Sequence, residues 1–170
     1  NIMVNAAIAK TGGESAQLTL RAHNNIEVNA PVTSSAGALD LSLKNNFDGS
    51  TTTGHAATIN ADINLNGGAL EVSQGEAQGN GTLNIAGGTT TLQGAARILA
   101  AAVNVKKDGR VSIDSAQALQ GVWTNAGEIE LQGAGALNLE NADASLVNTG
   151  RLTLSGTNTA VLAGASESTN

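Results

Sequence analysis

The chain has 170 residues and no cysteine, with 8 basic against 14 acidic residues and a net charge of −6. This acidic balance argues against nucleic acid or an anionic membrane surface as a partner, because both attract a basic face. The lack of cysteine excludes a disulfide framework, a thiolate metal site and a cysteine nucleophile. No apolar run reaches the roughly 18 residues that a membrane-spanning helix needs, so we expect no insertion into a membrane.

The amino-terminal segment is stated twice. Asn1–Ala6 reads Asn-Ile-Met-Val-Asn-Ala, and Asn25–Ala30 reads Asn-Ile-Glu-Val-Asn-Ala, 24 positions later. Self-similarity at a period of about 20 to 50 residues is typical of solenoids, propellers and other arrays. The composition agrees with stacked thin layers, because Phe47 and Trp123 are the only aromatic residues and aliphatic side chains supply the apolar share.

Short bursts of alternating apolar and polar residues predict half-buried strands along the chain. We expect the two aliphatic residues of each burst to point inward and the polar residue between them, such as Asp40 or Glu130, to be exposed. The bursts are Leu18–Leu20, Ile26–Val28, Leu39–Leu41, Leu70–Val72, Leu83–Ile85, Val103–Val105, Ile129–Leu131 and Leu152–Leu154. Their predicted outward residues are Thr19, Glu27, Asp40, Glu71, Asn84, Asn104, Glu130 and Thr153.

The spacing between similar segments gives the length of one turn. Matched segments are Asn29-Ala30 with Asn60-Ala61, Gly37–Leu39 with Gly68–Leu70, Asn64–Gly68 with Asn84–Gly88, Leu83–Ile85 with Val103–Val105, and Asn125–Leu131 with Asn148–Leu154. A unit of about 20 residues with two or three short strands fits a right-handed parallel β-helix, an all-β solenoid of about seven to eight coils over residues 1–170. An antiparallel sandwich would explain the alternation but not the repeated spacing.

Two segments depart from this regular pattern. The spacing grows to 31 residues after Asn29, which predicts an inserted loop near 44–56 that contains Phe47 and His55. We expect that trimming this loop shifts the thermal midpoint by only a few degrees, because surface changes are usually worth under about 0.5 kcal/mol. The alanine-rich segment Ala95–Val103 favours a helix by propensity, but Val103 resumes the repeat at once, so we interpret the segment as a corner of small residues.

The sequence offers no catalytic residue, metal site or cofactor site. The acidic residues Asp40, Glu71, Asp114, Glu130 and Glu140 are scattered singly at outward positions, which indicates solubilising charge. His23 and His55 stand in unlike contexts. The threonine runs Thr51–Thr53 and Thr89–Thr91 lie outside the matched positions and do not form a repeated binding row. For binding, Phe47 and His55 on the loop are weak candidates, either as a contact or as a plug over the coil.

Asparagine recurs at equivalent turns. Asn5, Asn29 and Asn60 share one position of the repeat, and Asn125 and Asn148 share another. Side-chain amides stacked in this way hydrogen-bond from one layer to the next, as in the ladders of cross-β structures. We therefore predict two structural asparagine ladders.

The segment Leu18–Val32, followed by Gly37–Leu41, resembles the filamentous-haemagglutinin-like exoproteins of bacteria, which are large β-helical adhesins of the two-partner secretion type. The resemblance implies an extracellular or surface-attached rod without catalytic activity, and an internal shaft segment of a longer chain. It implies as partners the neighbouring coils, a further copy bound end to end, or a cell-surface receptor or glycan. A carbohydrate-active or carbohydrate-binding β-helix is the alternative, and a cleft lined by several carboxylates and basic groups would favour it.

Overall fold

The computed structural model describes residues 1–46, 55–74, 79–94, 96–139, 143–155 and 168–169. Across these ranges the chain forms strands and turns, and no helix is present that is long and apolar enough to cross a membrane. Every described strand pair is parallel. Parallel neighbours that are separated by one turn of chain define a β-solenoid.

Two long sheets run along the solenoid, and each takes one strand from every turn. Sheet A contains β1 (Ile2–Val4), β4 (Ile26–Val28), β7 (Ala57–Ile59), β10 (Thr82–Ile85), β13 (Ala102–Val105), β16 (Val122–Asn125), β19 (Ser145–Asn148) and β21 (Ser168–Thr169). Sheet B contains β2 (Ile8–Lys10), β5 (Val32–Ser34), β8 (Ile63–Asn64), β11 (Thr89–Leu92), β14 (Arg110–Ile113), β17 (Glu128–Gln132) and β20 (Arg151–Ser155).

The third side is built from two shorter sheets. Sheet C contains β3 (Ala16–Ala22), β6 (Leu39–Asn45), β9 (Leu70–Gln74) and β12 (Ile98–Leu99). Sheet D contains β15 (Ala116–Ala118) and β18 (Ala136–Asn138). The whole is an all-β solenoid of about six turns with the layout of a right-handed β-helix. The expected class is confirmed, with slightly fewer turns than the predicted seven to eight because some turns are longer than 24 residues.

The spacings in sheet A agree with most of the matched segments. Side-chain amides at equivalent positions are 24, 31, 20 and 23 residues apart along the chain. Two matches are wrong. Asn84 pairs with Thr58 rather than following Asn64 by one turn, and Leu70 pairs with Leu41 rather than Leu39. The corner turns change length independently, so each sheet keeps its own register.

The core is a column of aliphatic side chains that fills the space between the sheets. Inward residues of successive strands stack directly, as in the row Leu83, Val103 and Trp123, all of them 1% exposed or less. The indole Nε1 of Trp123 donates to the Gln120 carbonyl oxygen at 3.1 Å. The alanine-rich corner is confirmed for its described part, because Ile98–Leu99 is a strand and Ala100 is buried.

Close approach of the backbone requires glycine at some corners. Gly121 has a φ of +68°, and a Cβ there would lie 2.1 Å from the Ala101 carbonyl oxygen. Gly68 has a similar constraint, since its Cβ would meet the Leu39 oxygen at 2.1 Å. Successive turns therefore stack without a spacer at these corners.

The predicted asparagine ladders are confirmed. The Asn29 amide donates to Asn5 Oδ1 at 3.0 Å, and the Asn60 amide donates to Asn29 Oδ1 at 2.7 Å. Asn125 donates to Asn148 Oδ1 at 2.6 Å. A further pair, Asn104 to Asn84 Oδ1 at 3.0 Å, was not predicted. These bonds tie neighbouring turns together outside the backbone ladder.

Most predicted inward residues are buried, but the prediction is wrong at two positions. Leu154 is 54% exposed, because it lies on the last strand of sheet B. Glu130 was predicted to be exposed and is 9% exposed, because it is packed into an ion-pair cluster. Leu18 and Leu20 on β3, and Leu152 on β20, are only partly buried, since these strands form the rims of their sheets.

Candidate functional site

The predicted loop leaves the solenoid from sheet C and returns to sheet A. Phe47 and the threonine run Thr51–Thr53 lie outside the described residues. Before the loop, Asn46 is buried and adopts the left-handed conformation with a φ of 47°. After it, His55 is half-buried just before β7. The loop therefore starts beside the outer face of sheet C.

The outer face of sheet C carries an open polar groove. β3 and β6 have seven residues each and are directly paired, so their alternate side chains form rows across the sheet. One row joins Thr19, Ser42 and Glu71. A second row joins Arg21, Lys44 and Ser73. The rows collect residues that are 23 to 29 positions apart in the sequence.

Two adjoining cavities make up the groove. The larger is about 510 Å³ and is lined by Gln17, Thr19, Arg21, Ser42, Lys44 and Glu71. The smaller is about 180 Å³ and shares Gln17, Ser42 and Glu71 with the first, while Asp40 and Arg97 extend it. We call these two cavities together the sheet C groove. It brings two carboxylates and three cationic side chains onto one face.

The carboxylates of the groove are held by short hydrogen bonds. Glu71 Oε1 accepts from the Ser73 hydroxyl at 2.9 Å. Asp40 Oδ1 accepts from the Ala69 backbone N–H at 2.8 Å. The Ser42 hydroxyl differs, because it is buried under the groove and has no hydrogen-bond partner. A buried hydroxyl without a partner loses its hydration and gains nothing in return.

The structure corrects the expectation that the acidic residues are scattered singly. Asp40 and Glu71 come together in the sheet C groove, and Glu130 joins a separate cluster on sheet B. Asp114 accepts from the Gly94 backbone N–H at 3.2 Å, so it has a role in a turn. Glu140 lies outside the described residues. The sequence spacing did not reveal these groupings because the turns differ in length.

The second cluster lies on the outer face of sheet B. Arg110, Glu128 and Arg151 are directly paired on three successive strands. The Arg110 guanidinium bonds the Glu130 carboxylate and lies 3.9 Å from Glu128 Oε2, while Arg151 Nε is 3.7 Å from Glu128 Oε1. The Ser155 hydroxyl donates to Glu130 Oε1 at 3.1 Å. The cluster joins three turns by alternating charge.

The hydrogen bond from Arg110 is the main reason that the pKa of Glu130 lies below its ordinary value of 4.5, and a bond from Gln132 adds to it. The same bond raises the pKa of Arg110. A carboxyl with a lowered pKa in the folded state stabilises the fold above its unfolded pKa. That stabilisation is lost as the pH falls through the folded pKa. The cluster is therefore a structural clasp that acid releases.

Replacing Glu130 by glutamine tests this clasp. We expect Glu130→Gln to lower the thermal midpoint at pH 7 and to flatten its decline between pH 7 and pH 3, because the substituted side chain has no proton to gain. Thermal unfolding followed by circular dichroism at several pH values measures both effects. Asp108→Asn, at an exposed turn position, is the matched control and should leave the profile unchanged. Parallel pH profiles for wild type and Glu130→Gln would contradict the assignment.

Sequence reasoning missed Gln17, Arg21, Lys44 and Arg110. A signal for the groove was present, since Leu18-Thr19-Leu20-Arg21 and Leu41-Ser42-Leu43-Lys44 have the same alternation 23 residues apart. The similarity of Gly37–Leu39 to Gly68–Leu70 drew the matching to a different register. Physicochemical class rather than residue identity carries the correct one.

Among the residues that the structure describes, no three His, Asp or Glu side chains lie close enough to hold a metal ion. No protein-family model matches the chain, and neither a curated protein nor a solved structure is significantly similar to it. The argument for function therefore depends on the geometry of the solenoid and its surface.

Proposed function

We propose that this solenoid is a non-catalytic segment of an adhesive rod on a bacterial surface or in its surroundings, of the filamentous-haemagglutinin-like type that Leu18–Leu41 resembles. The single observation that supports this proposal most is the open edge at each end of the stacked sheets. A rod is built by adding turns at such edges, so neither end needs a separate fold. The outer faces then present side chains along its length.

The first rim is formed by β1, β2 and β3. Within the described residues, each of these strands pairs with a neighbour on one side only. Ile2, Ile8, Leu18 and Leu20 are partly buried against the core and remain partly open. At the other rim Leu152 is partly buried and Leu154 is 54% exposed. A parallel strand edge with unpaired N–H and C=O groups and an apolar margin is a template for another strand.

We therefore propose that the rims are covered by further turns of a longer chain or by a second copy placed end to end. Repeat proteins without polar caps generally need such a neighbour for solubility. A surface with net charge −6 favours a protein or glycan partner over nucleic acid. These features support an extracellular location, although adhesion and location are proposals.

Sedimentation velocity over a range of concentrations tests the rod. We expect the isolated chain to associate more as its concentration rises. Leu18→Lys should suppress the association, because an inward charge at a rim blocks strand addition. Thr19→Lys is the matched control, since it adds the same charge to the outward face of the same strand and should leave association unchanged.

Circular dichroism must show that both variants keep the wild-type strand signal. A wild-type chain that stays monomeric at every concentration would contradict the proposal. Equal behaviour of the two lysine variants would also contradict it, because association would then not use the rim.

A second candidate is an extracellular protein that binds or acts on carbohydrate. The sheet C groove favours it, because two carboxylates and three cationic side chains line one open cleft. The hydrogen bonds that hold Asp40 and Glu71 in place suit binding better than proton transfer.

A further inference from the structure

The sheet C groove has a cationic row along one side. Arg21 on β3 and Lys44 on β6 are direct partners in the parallel sheet, so their backbones are about 4.8 Å apart. Like charges placed directly opposite each other destabilise a sheet. This pairing is unusual in a chain with only 8 basic residues and a net charge of −6. An anion held between the two side chains would offset the repulsion.

The rest of the groove offers groups that hydrogen-bond to neutral polar atoms. Gln17 and Thr19 supply an amide and a hydroxyl, and the carboxylate of Glu71 is an acceptor fixed by Ser73. Below them the Ser42 hydroxyl is 3% exposed and has no partner. Such a hydroxyl at the base of a groove gains a hydrogen bond when a ligand hydroxyl reaches it, and that gain favours a ligand rich in hydroxyl groups.

The shape and lining of the groove exclude other ligand types. The groove crosses three paired strands, so the backbone N–H and C=O groups of its central strand are used within the sheet. A peptide therefore finds no free strand edge on this face. Leu99 is the one large apolar side chain facing the groove at its end, and no described aromatic side chain lines it. An apolar or aromatic ligand would bury little here.

We propose that the sheet C groove binds an acidic saccharide chain. The carboxylate of the saccharide lies on Arg21 and Lys44, where a guanidinium forms charge-assisted bonds to a carboxylate. The sugar hydroxyls lie along Gln17, Ser42 and Glu71. The groove runs along the rod across successive turns, so an extended saccharide follows it more closely than a compact anion does. This site does not depend on the adhesive role of the rod.

Isothermal titration with a tetrasaccharide of galacturonic acid tests the site. We expect the acidic tetrasaccharide to bind at least tenfold more tightly than a neutral galactose tetrasaccharide, and more tightly than a short peptide of glutamates. The double variant Arg21→Gln with Lys44→Gln should weaken binding by tenfold or more. Lys106→Gln with Lys107→Gln removes the same charge from an exposed turn and should leave the affinity unchanged.

Ser42→Ala separates a ligand contact from a structural role. Removing a hydroxyl that has no partner should leave the thermal midpoint unchanged or slightly raised. The same change should weaken the acidic tetrasaccharide several-fold, because a contact to the ligand is lost.

Three results would overturn the proposal. They are no binding of the acidic tetrasaccharide at millimolar concentration, equal weakening by the lysine control, or equal affinity for the neutral tetrasaccharide or the glutamate peptide. An unchanged affinity in Ser42→Ala would remove that residue from the site. None of these results bears on rim association, which sedimentation measures separately.

Discussion

Replacing Trp123 by alanine should destabilise the solenoid by about 3–5 kcal/mol, the usual cost of truncating a large buried aromatic residue. Trp123 is 1% exposed and stacks between Val103 and Leu146 of the neighbouring turns. Its Nε1 also donates to the Gln120 carbonyl oxygen. The truncation therefore opens a cavity in the middle of the stack and removes a hydrogen bond that closes the corner before β16. Because each turn of a solenoid contacts only its neighbours, this damage is not shared across a wide core.

The matched control is the preceding residue. Val122 is 48% exposed and points outward from the same strand, so Val122→Ala should change the free energy of unfolding by less than about 0.5 kcal/mol. Urea unfolding with both midpoint and slope recorded measures the two variants. A loss of less than 1 kcal/mol for Trp123→Ala, or equal losses for both variants, would show that Trp123 does not fill the core as the structure describes.

The sequence predicted the solenoid because its strongest signals are local. Alternation such as Leu83-Asn84-Ile85 depends on neighbouring residues only, and the structure places Leu83 and Ile85 inward. The asparagine ladder from Asn5 to Asn60 was also predictable, since stacking makes the same turn position recur. Both features survive changes in turn length elsewhere.

Register between sheets was harder to predict, because it depends on the lengths of corner turns that leave no mark on strand patterns. In sheet A the inserted segment gives a spacing of 31 residues, whereas Leu41 and Leu70 in sheet C are 29 apart. A single spacing cannot describe both. Matching Leu39 to Leu70 therefore failed, and the outward residues of the sheet C groove were not grouped.

The burial of Glu130 was unpredictable from its own strand. The alternation placed its side chain outward, and that direction is correct, because Glu130 bonds Arg110 on the outer face of the neighbouring strand. What the pattern lacks is the cover that an ion pair provides. Charge complementarity between residues 20 apart, such as Arg110 and Glu130, is visible only after the turns have been aligned.

The central claim is that stacking in sheet C assembles the groove from three turns with Ser42 directly opposite Glu71. Direct partners in adjacent strands lie about 4.8 Å apart, within the range of a disulfide, whereas a diagonal offset by two residues spans about 8 Å, beyond that range. The chain has no cysteine, so introduced pairs report without interference.

Mild oxidation of Ser42→Cys/Glu71→Cys and of Asp40→Cys/Glu71→Cys, followed by mass spectrometry of the digested protein, is the most direct measurement. We predict rapid formation of the disulfide in the first pair and none in the second under the same conditions. The second pair is the one that the 31-residue spacing would place opposite each other. Cross-linking of the second pair but not of the first would contradict the stacking register and with it the groove.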